Sequence, residues 1–190
     1  MENLYPSGYL EIAIGPMFSG KTSWLLELFN QHTFCSKNVM VINHTEDTRY
    51  HATMLSTHDK KMIPCIQSTT LLNNEQNKTL FEQAMKSDVV LINEGQFFEG
   101  LFDFVIMLLD HKKMIYICGL DGDFKRQKFG ELIDLVPMCD KVYKLRSLCA
   151  VCKNGTRAIF SKRLVDGDEQ KVIGNDIYAP VCRKCYQDNE

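Results

Sequence analysis

No apolar run in this 190-residue chain approaches the ~20 residues a helix needs to cross a bilayer. The first residues, "MENLYPSGYLEI", lack a basic segment followed by an apolar one, so a secretory signal is not expected. Charge of one sign is also missing, with 22 Lys and Arg against 24 Asp and Glu. A polyanion is therefore not the expected partner, and the short basic pieces "KNGTR" and "SKR" are too little for a nucleic-acid stripe. There is no internal repeat and no low-complexity tract. These absences point to a cytoplasmic globular protein with neither membrane nor nucleic acid as partner.

What is present is an ordinary core, at 45% hydrophobic residues, and eight cysteines. In a reducing compartment, clustered cysteines read as metal ligands before they read as disulfides. Cys35, Cys65, Cys118 and Cys139 are scattered and read as core or incidental thiols. The other four form Cys149-x-x-Cys152 and Cys182-x-x-Cys185, with 29 residues between the pairs. Two such pairs suit a saturated tetrahedral Zn²⁺ site, structural in role, which would pin both ends of the intervening loop. Two independent redox pairs are the competing reading.

Apolar runs alternate with helical periodicity along most of the chain. Strands are predicted at 9–15, 38–43, 88–93, 113–120 and 140–145, and helices at 21–32, 77–87 and 101–111. Residues 44–64 read as a long, polar, irregular connection. This order predicts an α/β fold with a parallel sheet and ligands at the carboxyl ends of its strands. Near Arg146 the character changes to short segments and turns, so residues 1–145 and 146–190 are expected to form two units.

The stretch "GPMFSGKT" (Gly15, Pro16, Met17, Phe18, Ser19, Gly20, Lys21, Thr22) is a complete G-x-x-x-x-G-K-[ST] pattern between a predicted strand and a predicted helix. Its glycines let backbone N–H groups curl toward phosphate oxygens, and the helix start adds its positive dipole end. Lys21 would meet the β/γ phosphates, and Thr22 would offer a hydroxyl to Mg²⁺. This predicts a bound nucleoside triphosphate without saying what it does. The strand at 88–93 ends in Asn93-Glu94. Glu94 is placed to act as a base, and Asn93 could reach the metal only through a bound water.

"GPMFSGKT", "NEGQFF", "GLDGDFKRQKFG" and the cysteines around "VIGNDIYAPVCRKCY" occur in this order. The combination resembles the type II thymidine kinases, from about Tyr9 to Tyr186. The resemblance implies a RecA-like P-loop sheet, plus a small zinc-bound domain whose lasso loop covers the nucleoside. It implies transfer of the γ-phosphate of ATP, with Mg²⁺, to the 5′-hydroxyl of thymidine. It further implies a homotetramer inhibited by thymidine triphosphate.

Carried over by position, the resemblance makes Glu94 the proton acceptor. It places Asp47, Thr48, Arg49, Asn93, Gly95 and Gln96 with the P-loop around ATP. Met17, Phe97, Leu120, Phe124 and Phe129 would line the base pocket. Ser161, Gln170, Lys171, Val172, Ile173, Gly174 and Tyr178 would embrace base and sugar. The family norm is Asp-Glu where this chain has Asn93-Glu94. The alternative function is therefore a nucleotide-binding protein with weakened or lost kinase activity. A P-loop ATPase acting on nucleic acid, with the zinc unit as a DNA clamp, is a third reading.

Overall fold

The structure is a computed structural model that describes residues 6–45, 54–56, 61–165, 167, 169–170 and 177–188. The first strand, β1 (Tyr9–Ile14), runs into helix α1 (Lys21–Phe34), followed by β2 (Val39–His44). A short hairpin, β3 (Met54–Ser56) with β4 (Met62–Pro64), precedes β5 (Ile66–Ser68). Helix α2 (Lys78–Lys86), strand β6 (Val89–Ile92), helix α3 (Leu101–Asp110) and strand β7 (Met114–Gly119) follow, and β8 (Lys141–Lys144) closes the sheet. The order is β5-β2-β6-β7-β1-β8, with every pairing parallel.

Parallel strands buried on both faces are apolar throughout, and here successive residues feed two separate cores. Leu10, Ile12, Val90, Ile92, Ile115 and Ile117 pack against α2 and α3. Their strand neighbours Ala13, Val89, Leu91, Met114 and Tyr116 pack against Leu25 and Leu26 of α1. The crossover after β1 therefore lies on one face and the crossover after β6 on the other. Such a change of face opens a crevice at the carboxyl ends of the strands.

The predicted strands and helices of the sheet are all present. The segment 44–64 departs from expectation in its described parts: it contributes the β3–β4 hairpin, and β5 just beyond it forms the sheet edge. Three-residue strands are too short to show a period, so these escaped the sequence pattern. After β8 the chain forms β9 (Ser147–Leu148), β10 (Arg157–Ala158), β11 (Phe160–Arg163), β12 (Tyr178–Val181) and the short helix α4 (Arg183–Gln187). Here β9 pairs with β10, and β11 with β12, both antiparallel. Their shared core is small: Cys149, Ala158, Val181, Cys182, Cys185 and Tyr186.

Phe104 is 1% exposed in α3 and meets Phe81 edge to face, with ring centroids 4.9 Å apart. Phe104→Ala is expected to lower stability by about 3–5 kcal/mol, read from urea unfolding. A loss below ~1 kcal/mol would show that this packing is not what fixes α3 to the sheet.

Candidate functional site

The loop after β1 begins at Gly15, whose φ is 152°. A Cβ there would sit 2.5 Å from the Leu145 carbonyl oxygen, so only glycine lets the loop pass beneath the end of β8. Gly20 adopts φ 85° as the cap of α1. Lys21 is buried, and its Nζ donates to the carbonyl oxygens of Gly15 at 3.0 Å and Pro16 at 2.7 Å. The ammonium is thus folded under the loop at the N-terminus of a 14-residue helix. Thr22 stands partly buried in the first turn, and Phe18 is exposed with φ 61°. Ser19 Oγ lies 3.5 Å from Lys21 Nζ. A helix dipole and a buried cation of this kind could hold an anion.

Glu94 follows β6 with φ 54°, a left-handed conformation that is uncommon for a glutamate. What holds it is Gln96, which is 2% exposed. Gln96 Nε2 donates to Glu94 Oε2 at 2.8 Å, and Gln96 Oε1 accepts from Leu120 N–H at 2.9 Å. One amide therefore ties the carboxylate to the exit of β7. The surroundings leave it no freedom: a Cβ on Gly119 would lie 2.3 Å from Gln96 Oε1, and one on Gly130 would lie 2.1 Å from the Gln96 carbonyl oxygen. Gly95 packs on Ile117, with room for no side chain.

Asn93 is fully buried. Its Nδ2 donates to Asn43 Oδ1 at 2.8 Å, and its Oδ1 accepts from Cys118 Sγ at 3.2 Å. The structure directs this amide into the sheet, between β2 and β7.

Among the expected pocket residues, Phe97 and Phe129 meet edge to face at 5.4 Å, and His44 packs against Phe97 at 5.4 Å. Met17 N–H donates to Ser161 Oγ at 3.0 Å, joining the phosphate loop to β11. Tyr178 Oη accepts from Arg163 at 3.0 Å, and Gln170 Nε2 donates to Asp123 Oδ2 at 2.8 Å. Asp47, Thr48, Arg49, Lys171, Val172, Ile173 and Gly174 lie outside the described residues.

Several neighbours escaped sequence reasoning. Lys144 is paired with Asp121; burial lowers its pKa first, and the charge of Lys21 lowers it further. It is thus a second cation near the phosphate loop. Arg163 and Tyr186 meet Phe124 only across the fold, and no local spacing marks them.

The four clustered cysteines offer sulfurs that all lie within 4.8 Å of one another. A tetrahedral Zn–S₄ site with bonds of ~2.3 Å needs edges of ~3.8 Å, so the donor set fits a metal of that kind. Burial alone would raise the Cys149 thiol, but hydrogen bonds from the backbone of Cys152, Cys182 and Val151, and from the Cys152 thiol, bring it to about 6. Cys185 is pushed up to about 12, by burial first and then by the neighbouring cysteine sulfurs. Such a set favours a bound cation over four bare thiolates. Among the described residues, no helix is long and apolar enough to cross a membrane.

A family model described as "Thymidine kinase" matches residues 8–186. The chain is 39% identical over 189 residues to a thymidine kinase of Oryza sativa subsp. japonica, covering 98% of this chain and 68% of that one. It is 37% identical to thymidine kinase 1 of Dictyostelium discoideum, covering 97% and 80%. It is 36% identical to the thymidine kinase of vaccinia virus (strain Western Reserve), covering 96% and 98%. Among solved structures, domain III of the Thermotoga maritima replication initiation protein DnaA aligns with a TM-score of 0.46 at 24% identity, covering 74% and 56%.

Gly119→Ala would drive a methyl group into Gln96 and release Glu94. Turnover is expected to fall by at least ~10-fold with the far-ultraviolet circular dichroism spectrum unchanged, because a carboxylate displaced by ~1 Å loses its alignment. Undiminished turnover would show that the Gln96 clamp does not govern the carboxylate.

Proposed function

The chain belongs to the thymidine kinase family, and from that premise we propose how its residues carry out the reaction. The activity is phosphorylation of thymidine. ATP is the proposed donor, with its phosphates on Gly15 to Thr22 and its Mg²⁺ at the Thr22 hydroxyl. Asp47, Thr48 and Arg49 are assigned to the same phosphates. Lys21 would leave the loop carbonyls for the β/γ oxygens, and Lys144 would add a second positive field.

The observation that carries the mechanism is the Glu94 carboxylate, fixed by Gln96 at the end of β6. The P-loop leaves the same edge of the sheet one strand beyond β7. Glu94 accepts the proton of the thymidine 5′-hydroxyl as its oxygen attacks the γ-phosphorus. The P–O bond to the β-phosphate breaks, and ADP departs with that bonding pair. Phe97 and Phe129, with Met17, Leu120 and Phe124, would form the apolar wall for the base. Ser161, Gln170 to Gly174 and Tyr178 would close over the nucleoside.

The four cysteines would hold Zn²⁺ in a structural role, since four thiolates leave no open position for chemistry. Metal binding there would supply stability that the small β9–β12 core lacks. A division at residue 145/146, a homotetramer, inhibition by thymidine triphosphate and a cytoplasmic location complete the proposal, on the strength of family membership.

The alternative of a binding protein disabled by Asn93 is not favoured: the family's activity supports turnover, and the Asn93 amide is engaged inside the sheet. Asn93→Asp would set a carboxylate against the Asn43 oxygen.

The direct test is phosphate transfer from Mg·ATP to thymidine, deoxyuridine, deoxycytidine and deoxyguanosine. Thymidine monophosphate is the expected main product, and its absence would overturn the proposal. Glu94→Gln is expected to cut turnover by about 10²–10⁴-fold while leaving ATP affinity nearly unchanged, as loss of a general base does. A second measurement is metal content: Cys182→Ser should lose bound zinc and lower the thermal midpoint, and equal zinc in variant and parent would exclude the four-sulfur site.

A further inference from the structure

Arg163, the last residue of β11, is 8% exposed. One terminal nitrogen donates to the Gly167 carbonyl at 3.1 Å, and the other to the Glu169 carbonyl and to Tyr178 Oη. The guanidinium carbon lies 3.8 Å from the centre of the Phe124 ring and 5.5 Å from that of Tyr178. Its Nε–H is buried with no hydrogen-bond partner among the described residues.

Phe124 is held from the other side as well. Its carbonyl accepts from Tyr186 Oη at 2.7 Å, and Tyr186 sits in the small core of the cysteine cluster. The preceding Asp123 accepts from the N–H groups of Lys125 and Gln127 at 2.9 and 2.8 Å, which shapes the turn. The backbone of Phe124 is thus fixed by the cysteine unit, while its ring is covered by Arg163.

We propose that Arg163 is a positioning residue for the nucleoside: it sets the Phe124 ring and the Tyr178 hydroxyl, and so raises affinity for thymidine without touching the reacting atoms. The inference rests on the thymidine kinase reading above. A flat guanidinium can cover a ring and hold three oxygens at once; a lysine ammonium has the charge but neither the plane nor the fork.

The test is steady-state kinetics of the parent, Arg163→Lys, Arg163→Ala, Phe124→Leu and the Arg163→Ala/Phe124→Leu double variant. Arg163→Ala is expected to raise the KM for thymidine about 10-fold, with kcat and the KM for ATP within ~3-fold, the pattern of lost uniform binding. Arg163→Lys should shift the same KM in the same direction. It carries the test if the alanine variant fails to fold. Because Arg163 acts in part through Phe124, the loss in the double variant should fall clearly short of the product of the two single losses, the remainder being the share carried by Tyr178. An unchanged thymidine KM, equal rises for both substrates, or fully multiplicative losses would overturn the proposal. Cleavage after Glu169 by a Glu-specific protease, run without nucleoside, should quicken several-fold in both Arg163 variants, and equal rates would also overturn it. A parent that cannot phosphorylate thymidine would sink the function instead, and the cleavage rates would still report on Arg163.

Discussion

The side-chain amide of Gln96 is the point on which the site turns. It accepts from Leu120 N–H at the exit of β7 and donates to the carboxylate of Glu94 at the exit of β6. Both bonds are made in a space from which Gly119 and Gly130 exclude any Cβ. A glutamate in a left-handed conformation costs of order 1–3 kcal/mol and persists only where its surroundings over-determine it. Here the amide, the two glycines and the Gly95 contact with Ile117 do so together. The carboxylate is held in place by the fold itself, as the proton-accepting role proposed for it would need.

A second constraint comes from the cysteine unit. Its core is small, and it sends several contacts back to the main sheet and its loops, among them two hydrogen bonds at the site. Ser161 accepts from Met17 in the phosphate loop, and Tyr186 reaches the carbonyl of Phe124. A cation bound by four sulfurs would therefore fix more than its own hairpins: it would also fix one wall of the pocket. The four-sulfur cluster and the proposed pocket wall are thus joined through the Tyr186–Phe124 hydrogen bond.

Charge is arranged with similar economy. Burial, and then the charge of Lys21, lower the pKa of Lys144. Asp121 compensates Lys144, and the loop carbonyls hold Lys21. Such a pair concentrates positive potential where an anion would relieve it. Asn93 donates to Asn43, a neutral pairing between the ends of β6 and β2.

The P-loop, the five main strands and the paired cysteines were legible from sequence because each depends on local spacing. Period-two and period-3.6 patterns mark strands and helices, glycines mark a curled loop, and CxxC marks a metal turn. The role proposed for Glu94 rests on its place at a strand end and on family resemblance. Strand order, the short edge strand β5, the inward course of Asn93, and the grip of Gln96, Arg163 and Tyr186 were not legible. Arg163 and Phe124 stand 39 positions apart, and Tyr186 and Phe124 stand 62 apart. The sequence by itself determined which residues could bind phosphate, carry a proton or ligate a metal, since those are properties of side-chain chemistry and short-range geometry. Tertiary structure alone decided which of them meet, because contact between distant residues depends on how the sheet and the cysteine hairpins pack.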